Sequence, residues 1–337
     1  MNLGLKFIYS LNVLLAVFSI FAYLSPFVDP HITGFFGFFG LGFPILLICH
    51  IIFLVFWLVV KPKKSILSII ILALGYGHCT KAIGFNKPQK EEAGIEIMSY
   101  NIGYTRRLLH GKTSKSKKNA FIKFIKDENP DIICLQERAH YQFDIYEDIF
   151  DGYILHPDKK IGTAIYTKLP IVNKGNITFD TKAHNATWID VKYKKQILRV
   201  YSVHLSSNKV RKFSDNLKEM WDESMHILDK YNTHAKIRVN QIKEILAHAK
   251  TSKYPVVITG DFNDIPQSYI YNMMTKEYCD AFVERGSGLG KTFKTIIPGL
   301  RIDFAFVSNK LNVLEHEILK TDLSDHYPIL TKVNFNN

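Results

Sequence analysis

Six short apolar runs, spread over more than two hundred residues, each end in or lead into an acid, amide or imidazole side chain. Asn101 closes IEIMSYN, Glu137 follows DIICLQ, and His204 closes LRVYSVH. Asp261 and Asn263 follow VVITG, Asp303 lies at the start of RIDFAFVS, and Asp325 and His326 precede YPIL. Runs rich in Val, Ile and Leu read as buried strands, and a buried charge is costly unless it is paired or metal-bound. Polar ends repeated in this way are expected to converge on one metal-assisted site. Carboxylates and an amide, with no thiolate among them, favour Mg²⁺ or Mn²⁺ over structural zinc. The set suits phosphoester hydrolysis, which needs a hard cation on a phosphate oxygen, a base or orienter for water, and donors for the charge that builds on the phosphoryl oxygens.

Taken singly, each residue has an ordinary explanation. Asn101 at a strand end can be a turn former and His204 a satisfied polar group. Glu137 with Arg138 can be a surface pair, and Asp264 and Asp322, close to the motifs, read as surface residues. The joint pattern in fixed order is what singles the set out.

The elements that must carry these side chains follow from periodicity. Strands are expected at 95–101, 131–136, 162–167, 171–179, 186–192, 197–204, 255–260, 302–307, 313–318 and 328–333. Helices are expected at 114–126 and twice between His204 and Pro255. Val210, Phe213, Leu217, Met220, Trp221, Met225, Leu228 and Tyr231 recur at spacings of three and four, which makes one apolar stripe. Core packing is its plain reading, and rest on a membrane or lipid substrate is the alternative. Many strands with few helices suggest an α/β fold of two packed sheets flanked by helices.

The first quarter of the chain is different in kind. Residues 1–90 hold seven Lys or Arg and one acidic residue, Asp29, against 36 basic and 30 acidic residues from position 91 onward. Each part therefore carries half of the net +12, and the near-zero mean hydropathy averages a lipid-soluble region with an ordinary soluble one. Three apolar stretches, about 7–28, 35–60 and 66–85, approach the ~20 residues that cross a ~30 Å hydrocarbon layer. Residues 1–85 are thus read as a membrane anchor of three transmembrane helices, 86–93 as a polar linker, and 94–337 as the catalytic domain. A cleavable signal peptide is the alternative for the first stretch, but no small-residue cleavage site follows it and two more spans come directly after.

Lys6, Lys61, Lys63 and Lys64 flank one end of the spans while the 29–34 connection has no Lys or Arg, which puts the amino terminus inside and the domain outside. Lys81, Lys87 and Lys90 argue the other way. Cys49, Cys79, Cys134 and Cys279 show no CxxC spacing, and two buried thiols are favoured over a Cys134–Cys279 bridge. Asn176 and Asn185 match the glycosylation pattern, as chance alone allows. Lys112, Lys115, Lys117 and Lys118 could grip phosphates of DNA or of an anionic bilayer, or form a solvated helix face.

MSYNIGY, DIICLQER, GTAIYTKLPIV, VYSVHLSS, ITGDFNDIP, RIDFAFVS and SDHYP, in that order, resemble the successive signatures of the endonuclease/exonuclease/phosphatase superfamily, also called deoxyribonuclease-I-like. The resemblance covers about residues 94–335, and DFNDIPQSYIY, GKTF and LRIDF are similar to membrane-anchored bacterial members. It implies a four-layer α/β/β/α sandwich, preceded here by the anchor, with the site at one edge. It also implies Glu137 as principal Mg²⁺ or Mn²⁺ ligand beside Asn101, with Asp325 assisting the metal side. Asp261 would orient or deprotonate water, Asn263 would bind the phosphoryl group, His204 and His326 would donate to its oxygens, and Asp303 would hold the tautomer of His326.

VHLSS stands where abasic-site endonucleases carry a tyrosine-containing segment, which argues against a repair role. The expectation is a multi-pass protein of the bacterial inner membrane with an extracytoplasmic phosphodiesterase or phosphatase domain. Its partners would be the bilayer and a phosphoester from a lipid head group or nucleotide. An outward-facing DNA endonuclease or exonuclease is the second reading, and a non-catalytic membrane scaffold the third. Specificity would lie in the loops 104–114, 140–160 and 206–218, and neither the leaving group nor the oligomeric state is legible.

Overall fold

The computed structural model describes residues 2–86, 93–103, 114–138, 150, 152–156, 162–180, 184–208, 217–295 and 298–336, with backbone alone at 114–115 and 217–227. Most of the linker and of the three loops expected to set specificity lie outside these residues. So do Lys112, Val210 and Phe213, and the side chains of Lys115, Leu217, Met220, Trp221 and Met225.

The N-terminal region, expected to be the anchor, comprises α1 (Leu3–Leu24), α2 (Phe35–Leu41), α3 (Phe43–Val60), α4 (Ile66–Leu74), α5 (Tyr76–Cys79) and a short strand β1 (Ile83–Phe85). Among the described residues, two helices are long and apolar enough to cross a membrane, Leu3–Phe27 with its terminal 3-10 turn and Phe43–Val60. The expected second stretch, 35–60, is divided at Gly42, where α3 starts anew with Pro in its first turn. The expected third stretch, 66–85, is not one helix. Helix α4 stops at Gly75, α5 adds one turn, and the chain then extends as β1 because its backbone is paired with the domain. At 1.5 Å per residue, 66–79 reaches about 21 Å, short of the ~30 Å layer. Polar side chains meet in the middle of the bundle: His50 Nε2 lies 3.1 Å from Ser19 Oγ, and Ser68 Oγ donates to Asn12 Oδ1 at 3.2 Å. Such contacts can bind helices together where no hydrophobic force separates helix from lipid.

In the domain, alternation sorts side chains into layers. Along β2 (Ile95–Asn101) and β3 (Ile132–Gln136), Ile95, Ile97, Ile132 and Cys134 face the second sheet, while Met98, Tyr100, Ile133 and Leu135 face Phe121 and Ile125 of α6 (Ser114–Glu128). This sheet has the order β13-β14-β2-β3-β5-β4, adding β4 (Ile154–His156), β5 (Ala164–Thr167), β13 (Leu311–Ile318) and β14 (Ile329–Phe335). The other has the order β10-β12-β9-β8-β7-β6, built from β6 (Ile171–Thr178), β7 (Asn185–Tyr193), β8 (Gln196–His204), β9 (Val256–Asp261), β10 (Cys279–Asp280) and β12 (Asp303–Val307). Leu198, Val200 and Val257 face inward, and Tyr201, Val203 and Ile258 pack outward on Val239, Ile242 and Ile245 of α7 (Leu217–Lys250). Helix, sheet, sheet and helix thus stack as four layers.

Each sheet has one parallel pair among its described strands, β2 with β3 and β8 with β9, with α6 and α7 in the respective crossovers. A parallel pair needs such a crossover, and it brings two strand carboxyl ends to the same edge. Instead of two helices, α7 runs unbroken for 34 residues, since no Gly or Pro interrupts 217–250. The short strands β1, β4, β10 and β11 (Ser287–Leu289) go beyond the expected set, and all four cysteines are free. Helices α8 (Tyr269–Thr275) and α9 (Ala281–Arg285) follow β9 and β10.

Candidate functional site

Asp261, the last residue of β9, has an in-register neighbour on each side, His204 on parallel β8 and Asp303 on antiparallel β12. Three strand ends therefore place three polar side chains at one rim. The first sheet meets this rim with Asn101, which closes β2, and with Glu137, which follows β3. Ser324, Asp325 and His326 lie in the segment before β14 and complete the ring.

Hydrogen bonds lock the set. Asn101 Nδ2 donates to Asp261 Oδ2 at 2.8 Å and reaches Glu137 Oε1 at 3.4 Å. The Asn263 amide donates to Asp261 Oδ1 at 2.8 Å, and Asn263 Nδ2 donates to the Leu205 carbonyl at 2.9 Å, which ties the loop after β9 to the loop after β8. His326 Nδ1 donates to Asp303 Oδ2 at 3.0 Å, and its other nitrogen faces Asp261 Oδ2 at 3.8 Å. Ser324 Oγ donates to the Asn101 carbonyl at 2.8 Å and lies 3.2 Å from Asp325 Oδ1. Seven of the eight residues expected from the sequence thus stand in one hydrogen-bonded network, and His204 is brought to the same rim without a bond to it.

Two of them carry unusual backbone. Glu137 and Asn263 adopt φ of 53° and 51°, the left-handed region that non-glycine residues seldom occupy. Such conformations persist where the surroundings over-determine them, commonly at functional sites. Gly260, at φ 148°, permits close approach of β8, since a Cβ there would lie 2.0 Å from the Val203 carbonyl oxygen.

Electrostatics separate the two imidazoles. Burial pushes the His204 ring down to about 3, aided by His184 and His326, so it is neutral at pH 7. Burial alone would lower His326 as well, but the Asp303 and Asp261 carboxylates beside it raise its affinity for a proton well above the ordinary histidine range. Burial raises the Asp261 carboxyl, against the pull of His326. Both ring nitrogens of His204 are buried without a hydrogen-bond partner among the described residues, and its Nε2 faces Glu137 and Asp261 at 3.6 and 3.9 Å, too long for a hydrogen bond.

The donor set suits a hard cation. Asp261, Asp303 and His326 offer ligand atoms within 4.8 Å of one another, but His326 Nδ1 is engaged with Asp303. Glu137 is the more open carboxylate, with its side chain 26% exposed, and it shares the Asn101 amide with Asp261. Asp325 stands behind Asn101 through Ser324 and faces Gly103, where a Cβ would lie 3.4 Å from Asp325 Oδ1.

Several supporting residues escaped the sequence reading. Asp264 is no surface residue: it is 3% exposed and paired with Arg238, whose Nε lies 3.0 Å from Asp264 Oδ2. Asp322 does lie at the surface. Gln136 bridges the sheets, donating to Ser99 Oγ and Ser202 Oγ at 3.1 Å each. Thr292 Oγ1 accepts from the Asp303 amide at 3.1 Å, and the Phe293 ring lies edge-on to His326 at 4.8 Å. The His184 ring lies 5.1 Å from that of His204. Asp264 and Ser324 adjoin motif residues, which was the available signal; a lone His184 carried none.

A family model described as the Endonuclease/Exonuclease/phosphatase family matches residues 98–326, and one described as a domain of unknown function (DUF8431) matches residues 5–82. No curated protein matches the chain. Among solved structures, the fold is similar to an endonuclease/exonuclease/phosphatase from Bacteroides vulgatus, with 22% identity, a TM-score of 0.53 and coverage of 73% of this chain and 100% of that one. It is also similar to D. rerio TDP2 complexed with single strand DNA product, at 18% identity and a TM-score of 0.53 over 72% and 100% of the two chains. A Bacteroides thetaiotaomicron mannosyl-6-phosphatase matches at 18% identity and a TM-score of 0.51, again over 72% and 100%.

Proposed function

This chain belongs to the endonuclease/exonuclease/phosphatase family, and from that premise we propose that it is a membrane-anchored, divalent-metal-dependent hydrolase of phosphoesters. Members of the family are phosphoester hydrolases that generally depend on a divalent metal. The observation that carries the reading is Asp261, held by Asn101 and Asn263 while two imidazoles face its carboxylate.

Glu137 and Asn101 would hold Mg²⁺ or Mn²⁺, with Asp325 supporting that side. The cation, when bound, supplies Lewis-acid polarisation of a phosphoryl oxygen. Asp261 orients the attacking water and accepts its proton, which its raised pKa favours near neutral pH. Asn263, held in its left-handed loop, would offer the phosphoryl group the amide hydrogen that its bond to the Leu205 carbonyl leaves free. His326, protonated and oriented by Asp303, donates to the oxygens on which charge accumulates. The neutral His204 ring, with no hydrogen-bond partner among the described residues, would donate to the same oxygens.

An N-terminal anchor would bring this chemistry to a bilayer. Two apolar helices support membrane association, and the basic Lys61–Lys64 segment at the far end from the domain supports an extracytoplasmic site. The substrate would then be a phosphodiester or phosphomonoester of a lipid head group or an extracytoplasmic nucleotide. Turnover of a chromogenic phosphodiester by the full chain with Mg²⁺, repeated with Asp261→Ala, tests the catalytic assignment. The substitution is expected to lower kcat by three or more orders of magnitude, about what loss of a principal catalytic group costs, without loss of folding. Equal rates would remove it. Release of head groups from a lipid panel, with plasmid DNA as competitor, sorts the substrates.

A further inference from the structure

The anchor and the site meet in a contact that hydrolysis does not itself require. Gly34, Gly37 and Gly40 recur every three residues through α2 and the turn before it. A Cβ would lie 1.8 Å from Asn232 Oδ1 at Gly34, 2.6 Å from Tyr231 Oη at Gly37, and 3.3 Å from the Gln267 carbonyl oxygen at Gly40. The anchor therefore seats its side-chain-free face directly on α7 and on the loop that leads into α8.

From that seat a chain of buried bonds runs to the catalytic rim. Tyr231 lies between Gly37 and the Arg238 guanidinium, 5.5 Å from its ring centre, and its hydroxyl donates to Asp264 Oδ1 at 3.4 Å. Arg238 Nε donates to Asp264 Oδ2 at 3.0 Å, and Arg238 Nη1 donates to the Ser206 carbonyl at 3.0 Å and to Asn208 Oδ1 at 2.8 Å. Asp264 directly follows Asn263, and Ser206 is two residues beyond His204. The two loops that follow β8 and β9 at the rim are thus fastened to the side chains on which the anchor rests.

We propose that the 34–40 segment of the anchor is a positioning element of the phosphoester site: seated, it holds Tyr231 on the Asp264–Arg238 pair and fixes the loops that present Asn263 and His204. Arg238 and Asp264 are almost wholly buried, so the pair has no solvent to fall back on when its neighbours shift. A displacement of about 1 Å at such loops costs on the order of 10²-fold in rate. The kinetic consequence rests on the hydrolase reading, whereas the structural one does not.

The test uses the full chain in detergent micelles with a soluble aryl phosphodiester and Mg²⁺, so that access to a bilayer plays no part. Gly37→Leu is expected to lower kcat about 10- to 100-fold with KM little changed. Tyr231→Phe, which keeps the ring and removes the hydroxyl, lowers kcat several-fold, and the double variant is no slower than Gly37→Leu alone. Amide exchange over 205–208 and 261–265, measured without substrate, accelerates in both single variants. A wild-type kcat in both, additive losses, or unchanged exchange over these segments overturns the proposal. If Gly37→Leu fails to fold, Tyr231→Phe decides by both measures. If the unaltered chain hydrolyses nothing, the hydrolase reading falls, and the exchange measurement still decides whether the anchor fixes the loops.

Discussion

His326 and Asp303 form a buried pair in which Nδ1 sits 3.0 Å from Oδ2 and the ring is packed edge-on against Phe293. The carboxylate fixes both the orientation of the ring and its charge, leaving Nε2 to face Asp261. Their partnership crosses from the segment before β14 to the start of β12, so each sheet contributes one member.

Replacing Asp303 with Asn keeps the shape and removes the charge that holds the proton. Asp303→Asn is expected to lower kcat by up to roughly 10⁴-fold, the loss found when a catalytic-triad imidazole loses its orienting carboxylate. Steady-state kinetics on the full chain check it, and a change confined to KM would contradict the orienting role.

Glu137→Gln removes one negative charge from the more open carboxylate while leaving the strained turn in place. The Mg²⁺ concentration for half-maximal turnover is expected to rise at least about 10-fold, with partial recovery of rate at saturating metal. A metal titration of wild type and variant makes the comparison. An unchanged midpoint would shift the ligand role to the buried trio of Asp261, Asp303 and His326.

Gly260→Ala places a methyl 2.0 Å from the Val203 carbonyl at a φ of 148°. Backbone contacts of this kind do not relax, and a loss on the order of 3 kcal/mol or more is expected. Thermal unfolding of the variant should begin well below that of wild type.

His316, on β13, reports on acid stability away from the site. Burial lowers it to about 4 from an ordinary 6.5, with Asp280 pulling up and Arg301 pushing down. The folded protein keeps this ring neutral, hydrogen-bonded to Thr331 Oγ1 at 2.9 Å, whereas the unfolded chain takes up a proton below 6.5. Stability is therefore unaffected by this group above pH 6.5 and falls between about 6.5 and 4, by about 3 kcal/mol in all. Denaturant midpoints at pH 7 and pH 4.5 should converge in His316→Gln relative to wild type.

The rim was legible because its residues are strand ends: IEIMSYN, VYSVHL and VVITGD announce buried strands by composition, and each strand ends at a polar residue of the rim. What escaped was set by contacts distant in sequence. Asp264 reads as one more acid after Asn263 until Arg238 of α7 reaches it, 26 residues upstream. The 66–85 stretch is apolar enough to pass for a span, but pairing of Ile83–Phe85 with Ser287–Leu289 outweighs that composition. Likewise, α7 is a single rod: no Gly or Pro interrupts it, Val239, Ile242 and Ile245 pack on the sheet, and the buried Arg238 reaches Asp264 from the same helix.

The splice of β1 onto β11 has a bearing on how the chain can be dismantled. Ile83–Phe85 belongs covalently to the N-terminal helices yet is knitted into the α/β domain by a backbone ladder, reinforced by Asn86 on the Val283 carbonyl and Arg301 on the Lys81 carbonyl. A nick in the intervening NKPQKEE segment would sever the polypeptide without parting its halves. Conversely, a fragment begun after that segment would present Ser287–Leu289 as a bare ribbon with no neighbour to zip against.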